Sequence, residues 1–187
     1  MKRNIFRISL VLPLLIAFAL VTASLVASPA AAGTTRTDFV AYNIVCEILD
    51  PGVFWVDEDG IQHLRDRVLR SVVISDNEYH NGTGKIYPNF NFDPVAGVMT
   101  YFGTLEIYPT AFKDNYWAGS FSLQVVPSRA SGIARLQGYG EELNGLSIKS
   151  NLTPLTPTEL AGFADYCGKM PISGVRSEAT MLNPGDK

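Results

Sequence analysis

Apolar and polar residues alternate with period two along most of the chain from Asp38 onward, and turn-forming residues interrupt the alternation at short intervals. This pattern is typical of antiparallel β structure, because successive side chains of a strand point to opposite faces. It predicts strands over 38–49, 68–76, 84–92, 97–108 and 116–127, with a weaker signal for a last strand over 172–182. The pattern therefore predicts an all-β fold.

The first of these strands places its larger apolar side chains on one face. These residues are Val40, Tyr42, Ile44, Cys46 and Ile48. Their phase predicts that Cys46 points inward. Further along, Asp59-Gly60 stands between two runs of strand-like residues and predicts a tight β-hairpin. His63 is expected on the polar phase of this hairpin, and His80, beside the polar turn 77–84, is expected to be a solvated loop residue.

Two strands have one apolar and one polar face, as expected when one side of a sheet is buried. The apolar faces consist of Met99, Tyr101, Gly103, Leu105 and Ile107, and of Trp117, Gly119, Phe121, Leu123 and Val125. In the next segment Ala134, Leu136, Gly138 and Gly140 share the inward phase. Glycine within a strand permits the sharp coiling that a sheet needs when it closes on itself. These glycines predict a strongly curved barrel.

The same glycines are a poor match to a phosphate-binding loop. Gly140 is followed by Glu141 and Glu142, which would repel a phosphate, and the third glycine of a dinucleotide fingerprint arrives two residues late.

A helix is predicted near the C-terminus, because Thr156-Pro157-Thr158-Glu159 combines a capping box with proline at the first helical position. Leu160, Phe163, Ala164 and Cys167 follow at helical spacing, and Gly168 offers a stop.

The N-terminus carries the pattern of a secretory signal peptide over residues 1–32. Lys2, Arg3 and Arg7 precede an apolar run, and Ala30-Ala31-Ala32 supplies a cleavage site. An uncleaved membrane anchor is the alternative. Cleavage would leave residues 33–187 as a single barrel domain, with a tail that frays from about residue 183. The protein is then expected to be secreted or extracytoplasmic, with no stable membrane insertion.

Charge and cysteine content narrow the function classes. Loss of three basic residues with the signal peptide leaves 12 basic and 18 acidic residues, a net charge of −6. An acidic chain without basic clusters argues against nucleic-acid partners.

Cys46 and Cys167 predict one disulfide in an exported protein, with two buried free thiols as the alternative. Only His63 and His80 are available to join them, and their spacing gives no metal site.

Catalytic groupings are difficult to assemble from this chain. With two histidines and no serine in a nucleophile-elbow context, no triad is predicted. The candidate carboxylates for acid-base chemistry, Glu47, Glu106, Glu141 and Glu142, fall on outward phases or beside a turn and are expected to be solvated. Tyr101, Trp117, Phe121 and Gly138 are the candidate residues of an interior ligand cavity, with ordinary core packing as the alternative.

The order Trp117-x-Gly119-x-Phe121-x-Leu123, followed by Gly132-x-Ala134-x-Leu136-x-Gly138-x-Gly140-x-x-Leu143-x-Gly145, resembles the paired strands of allene oxide cyclase-like and dirigent-like barrels. The upstream Gly103-Thr104 is similar to the strand glycine of these calycin-like families. The resemblance covers about residues 95–145. It implies an eight-stranded, or slightly larger, antiparallel barrel with an apolar interior, often in oligomers. It transfers no catalytic residue, because no particular Glu matches the acidic catalytic position of the plant enzymes.

The leading hypothesis is a secreted, disulfide-linked barrel with one short C-terminal helix that binds a small hydrophobic molecule or a surface partner without catalysing a reaction. No cofactor, metal or catalytic residue is predicted. The first alternative is an allene oxide cyclase-like isomerase or cyclase, which requires a carboxylate inside the barrel. The second is an extracellular structural or adhesion domain that acts through its exterior, for which a large exposed apolar patch or a stable oligomer would be evidence.

Overall fold

The computed structural model describes residues 34–185, so the predicted signal peptide lies outside the described residues. Ten strands and two short helices follow one another in this part of the chain. The strands are β1 (Thr35–Asp50), β2 (Val53–Val56), β3 (Gln62–Arg65), β4 (Val68–Ser75), β5 (Gly82–Asp93), β6 (Val98–Pro109), β7 (Tyr116–Val126), β8 (Arg129–Tyr139), β9 (Ser147–Pro154) and β10 (Ser173–Asn183), and the helices are α1 (Pro157–Ala161) and α2 (Ala164–Cys167). β10 confirms the weakly predicted last strand.

Eight of the strands close into an antiparallel barrel. Around the barrel the order is β1, β10, β9, β8, β7, β6, β5 and β4, and β4 pairs again with β1. The predicted eight-stranded antiparallel barrel is therefore confirmed. Neighbouring strands approach closely at its glycines: a Cβ atom on Gly119 would lie 1.9 Å from the carbonyl oxygen of Arg135 in β8. A side chain at this position would push the two strands apart.

The hairpin predicted around Asp59-Gly60 is present as β2 and β3. One carboxylate oxygen of Asp57 accepts hydrogen bonds from the backbone N–H groups of Asp59 (3.0 Å) and Ile61 (2.9 Å), and Gly60 has a φ of +79°. β3 pairs with the last residues of β5, beyond the stretch that pairs with β4. The hairpin therefore extends the sheet at the end of the barrel where β1 and β5 finish.

The segment predicted as one helix consists of two. The capping box is present, with the Thr156 N–H donating to Glu159 Oε2 (2.7 Å) and the Glu159 N–H donating to Thr156 Oγ1 (3.3 Å). The N–H groups of Gly162 and Phe163 then bond to carbonyls three residues earlier, which ends α1 and turns the Phe163 ring onto Tyr42, 5.1 Å away. No helix within residues 34–185 is long and apolar enough to cross a membrane.

The predicted inward face of β1 is wrong from Val40 to Cys46, whereas Ile48 faces the lumen as predicted, because the pairing of β1 with β4 shifts register between Val45 and Glu47. Ala41, Asn43 and Val45 line the barrel lumen, so Ile44 and Cys46 lie on the outer face. They are nevertheless buried, at 0% and 1% exposure, because the 155–167 segment covers them. Both faces of β1 thus carry buried apolar side chains here, and period two alone does not show which of them faces the lumen.

The outer-face position also explains how the two cysteines meet. A Cβ atom on Gly174 would lie 3.0 Å from side-chain carbons of Ile44, Leu155 and Leu160, so the helical segment packs directly on this side of the barrel. Cys46 and Cys167 lie at disulfide distance, with their Cα atoms 5.2 Å apart. The predicted pairing is therefore present, although it links the barrel to its outer cover and not to its interior.

One end of the barrel is filled by the main apolar cluster. Its buried members are Phe39, Ala41, Val73, Leu105, Ile107, Trp117, Leu136, Leu143, Leu146, Ile148 and Ala179. Leu143 and Leu146 come from the loop after β8, and the loop after β4 contributes Tyr79, whose carbonyl accepts a hydrogen bond from Trp117 Nε1 (2.6 Å). Loops and side chains together close this end and form a floor.

Candidate ligand-binding cavity

Above the floor, the barrel encloses a cavity of about 450 Å³ to which all eight barrel strands contribute. Most of its lining is aliphatic or aromatic. Ile48 and Ile172 also line the cavity and are 43% and 48% exposed, so the cavity opens at the end opposite the floor. A volume of this order and an apolar wall are typical of sites that bind small molecules.

Two of the four predicted cavity residues line it. Phe121 projects from β7, and Tyr101 projects from β6, where its ring stacks against Phe90 with 5.4 Å between centroids. Burial raises the pKa of the Tyr101 hydroxyl above its ordinary value. Tyr101 therefore stays protonated at neutral pH and is a neutral hydroxyl-bearing residue of the cavity lining.

The other two predicted residues, Trp117 and Gly138, lie in the packed core and do not line the cavity. Trp117 is fully buried in the floor. A Cβ atom on Gly138 would lie 2.2 Å from the carbonyl oxygen and 2.8 Å from the Cβ of Leu143. The space beside this glycine is therefore occupied by a loop residue, and Gly138 serves to admit Leu143 and leaves no room for a ligand.

His80 reaches the cavity floor, contrary to its expected position in a solvated loop. It is 6% exposed, and its ring meets those of Phe39 and Trp117 edge-on at centroid distances of 5.3 and 6.2 Å. Burial lowers its pKa from 6.5 to about 4, so the imidazole is neutral at pH 7. Its Nδ1 atom is buried without a hydrogen-bond partner among the described residues.

The turn that carries His80 is held by its own polar groups. The Tyr79 N–H donates to Asn77 Oδ1 (2.9 Å), and the His80 N–H donates to the Asn77 carbonyl (3.0 Å). The Tyr79 ring also stacks on Phe112 at 4.6 Å. These contacts fold the turn under the barrel. The alternation of apolar and polar residues did not predict the inward position of His80. That alternation identifies strands, but it does not indicate the direction in which a polar turn folds.

A polar stripe crosses the mostly apolar lumen face. Its members are Ser150, Ser177, Asn43 and Ser71, at diagonal positions on β9, β10, β1 and β4. Asn43 Oδ1 and Ser71 Oγ are buried and have no hydrogen-bond partner within residues 34–185. Asn43 also lines the cavity. The wrong inward phase for β1 placed Asn43 outside the barrel, and for this reason the sequence did not reveal the stripe.

Charged groups are scarce at the cavity. Arg67, at its open end, donates from Nε to the Pro51 carbonyl (3.1 Å), and no Asp or Glu is present among the described cavity-lining residues. Glu47 pairs with Arg70 (2.8 Å) and is 41% exposed at its side chain, as expected for an outward position. Glu106 accepts a hydrogen bond from the Tyr108 hydroxyl (2.6 Å), which raises the pKa of Tyr108 to about 12.

The second histidine supports the β2–β3 hairpin. His63 Nε2 lies 2.8 Å from Asp57 Oδ2, its Nδ1 lies 2.8 Å from Asn91 Oδ1, and its ring stacks on Trp55. The hydrogen bond to Asp57 raises the pKa of His63. Because both ring nitrogens are engaged, neither is free to act as a base.

Within residues 34–185, no cluster of three or more His, Cys, Asp or Glu side chains is suited to hold a metal ion.

Comparison of the chain with protein-family models, curated proteins and solved structures finds no significant match. The cavity geometry and the chemistry of its wall are therefore the basis on which a function is inferred.

Proposed function

We propose that this barrel binds a small, largely apolar molecule and does not catalyse a reaction. The observation that carries the proposal is the cavity of about 450 Å³, open at one end and lined mostly by apolar side chains. Transfer of apolar surface from water into such a space is the main driving force for binding. Tyr101 and Phe121 supply aromatic surface, and the closed floor sets how deeply a ligand can enter.

The scarcity of acidic groups favours binding over the isomerase or cyclase alternative. That alternative needs a carboxylate buried inside the barrel beside Tyr101 or Trp117, and neither the described buried residues nor the described lining residues include an Asp or Glu. His80 is a neutral imidazole deep in the cavity, but no nucleophile or acid among the described lining residues stands beside it in a hydrogen-bonded relay. We therefore assign no catalytic residue.

We also propose that the protein is exported and related to the calycin-like barrels. Residues 1–32 have the composition of a signal peptide, and a cysteine pair at disulfide distance is typical of oxidising compartments. The glycine and aromatic order of residues 95–145 supports the relationship to the allene oxide cyclase-like and dirigent-like group. This relationship bears on ancestry and brings no activity with it.

Filling the cavity tests the proposed function. The variant Ala134→Phe adds a phenyl ring to a buried lumen position on β8, whereas Ile133→Phe places the same ring on the outer face, where the native residue is 37% exposed. We expect Ala134→Phe to weaken binding of the neutral fluorophore N-phenyl-1-naphthylamine at least about tenfold, since displaced volume removes apolar contacts. Ile133→Phe should bind it as the wild type does.

The exposed strand β2 provides a second control. Phe54 is 55% exposed, and its neighbours Val53, Trp55 and Val56 are exposed as well, so the fluorophore has an exterior apolar surface to bind. This surface favours contact with a surface partner as a second candidate function. Unchanged fluorophore binding in Phe54→Ser supports the cavity. Binding that is lost in Phe54→Ser and kept in Ala134→Phe contradicts the proposed function and favours the exterior surface.

A further inference from the structure

Two unpartnered polar atoms lie on the wall of a cavity whose lining is mostly apolar. They are His80 Nδ1 at the floor and Asn43 Oδ1 on the side wall. A buried polar atom without a partner is unfavourable, because it has lost hydrogen bonds to water and gained none in return. Such a group in a native protein calls for a partner that the chain does not supply, and on the wall of a cavity a polar atom of a bound molecule can be that partner.

His80 is the deeper and more enclosed of the two. Its ring contacts Phe39, and Asn43 stands four residues further along β1, which corresponds to about 13 Å along an extended strand. The His80 ring meets the aromatic rings of Phe39 and Trp117, and the side chain is more than nine-tenths buried. The turn that holds it is fixed by hydrogen bonds, so the imidazole is positioned before any ligand enters.

We propose that the ligand is an apolar molecule bearing a hydroxyl group, and that this hydroxyl enters first and forms a hydrogen bond with His80 Nδ1 at the cavity floor. The inference rests on the proposed function and adds the chemical class of the ligand. A neutral imidazole can either donate to or accept from a hydroxyl group, depending on its tautomer. An ionised group would be unfavourable at this depth, because the surrounding wall cannot replace its hydration.

A matched pair of ligands tests this assignment. 2-Naphthol and 2-methylnaphthalene have similar shapes, and only the former carries a hydroxyl group. Their dissociation constants are measured by displacement of N-phenyl-1-naphthylamine from the wild type, His80→Phe and Asn43→Val. For each protein we take the ratio of the two dissociation constants. Comparing this ratio between the wild type and a variant cancels the general difference in hydrophobicity between the two compounds. We expect the preference for 2-naphthol to fall at least about fivefold in His80→Phe, because its hydroxyl becomes unpaired there, and to persist in Asn43→Val.

The outcomes separate this inference from the proposed function. An unchanged ratio in His80→Phe, or a ratio that falls in Asn43→Val instead, overturns the assignment to His80 while leaving apolar binding intact. Failure of the wild type to bind either compound overturns both. Circular dichroism of each variant establishes that the barrel is retained.

A measurement on the wild-type protein avoids any dependence on variant folding. The ¹⁵N resonance of His80 Nδ1 reports hydrogen bonding at that atom directly. Saturation with 2-naphthol should shift this resonance strongly, and saturation with 2-methylnaphthalene should shift it much less. Equal shifts with the two compounds would mean that the hydroxyl does not reach His80, and the inference would then fail.

Discussion

The buried histidine has a consequence for stability as well as for binding. In the folded protein the pKa of His80 is about 4, against 6.5 for an exposed histidine, because burial disfavours the charged form. The unfolded chain therefore binds more protons between these two values, and the free energy of unfolding falls as the pH is lowered through this window. We expect a loss of about 3 kcal/mol between pH 6.5 and pH 4 from this residue.

Urea denaturation of the wild type and His80→Phe at several pH values measures this contribution. Phenylalanine keeps an aromatic ring beside Phe39 and Trp117 and does not titrate. The difference in unfolding free energy between the two proteins should therefore change by about 3 kcal/mol across the window. His63, whose pKa is raised, contributes with the opposite sign but is present in both proteins and cancels. Parallel pH profiles would contradict the burial of a neutral His80.

Among the strand elements, Gly138 in β8 illustrates how the floor is built. A Cβ atom there would overlap the backbone of Leu143, so Gly138→Ala must displace the loop that plugs the barrel. We expect a loss of about 2 kcal/mol or more in unfolding free energy, within the range for overpacked cores. Gly162→Ala is the matched control, because its Cβ would meet no atom closer than 3.3 Å and its φ is −66°. Equal thermal stabilities of the two variants would contradict this account.

The sequence predicted the lumen-facing residues of some strands and not of others, because the strands differ in whether their outer face is covered. β7 and β8 alternate because their outer faces are largely exposed to solvent, and the sequence of β6 keeps the same period, so the lumen positions of Tyr101, Phe121 and Ala134 follow from period two. β1 is covered on both faces, so its alternation did not show which of its residues face the lumen up to Val45. The floor depends on loops, where His80 and Leu143 fold inward through tertiary contacts that no local pattern encodes. The closed barrel was thus predictable, whereas the lumen positions of β1 up to Val45 and the deepest polar group of the cavity were not.

At the scale of the whole molecule, the cysteine pair joins the first barrel strand to the segment that precedes the last. Cys46 and Cys167 are separated by 121 residues, and beside them the Ile172 N–H donates to the Val45 carbonyl (2.9 Å). A covalent link over this distance restricts the unfolded chain, and the chain-entropy model gives about 5 kcal/mol for a loop of this size. The link also ties the 155–167 segment over the outer face of β1, where Ile44 and Cys46 would otherwise be exposed to water.

We therefore expect the double variant Cys46→Ala/Cys167→Ala to lose up to about 5 kcal/mol in unfolding free energy, measured by urea denaturation. Reduction of the wild type with dithiothreitol should reproduce most of this loss, while the double variant should not respond to the reductant. Because the cavity wall is formed by the opposite face of β1, the variant should still bind N-phenyl-1-naphthylamine below its unfolding transition. A wild type whose stability is the same with and without dithiothreitol would show that the link does not form in solution. Loss of fluorophore binding in a folded double variant would show instead that the outer cover determines the shape of the cavity.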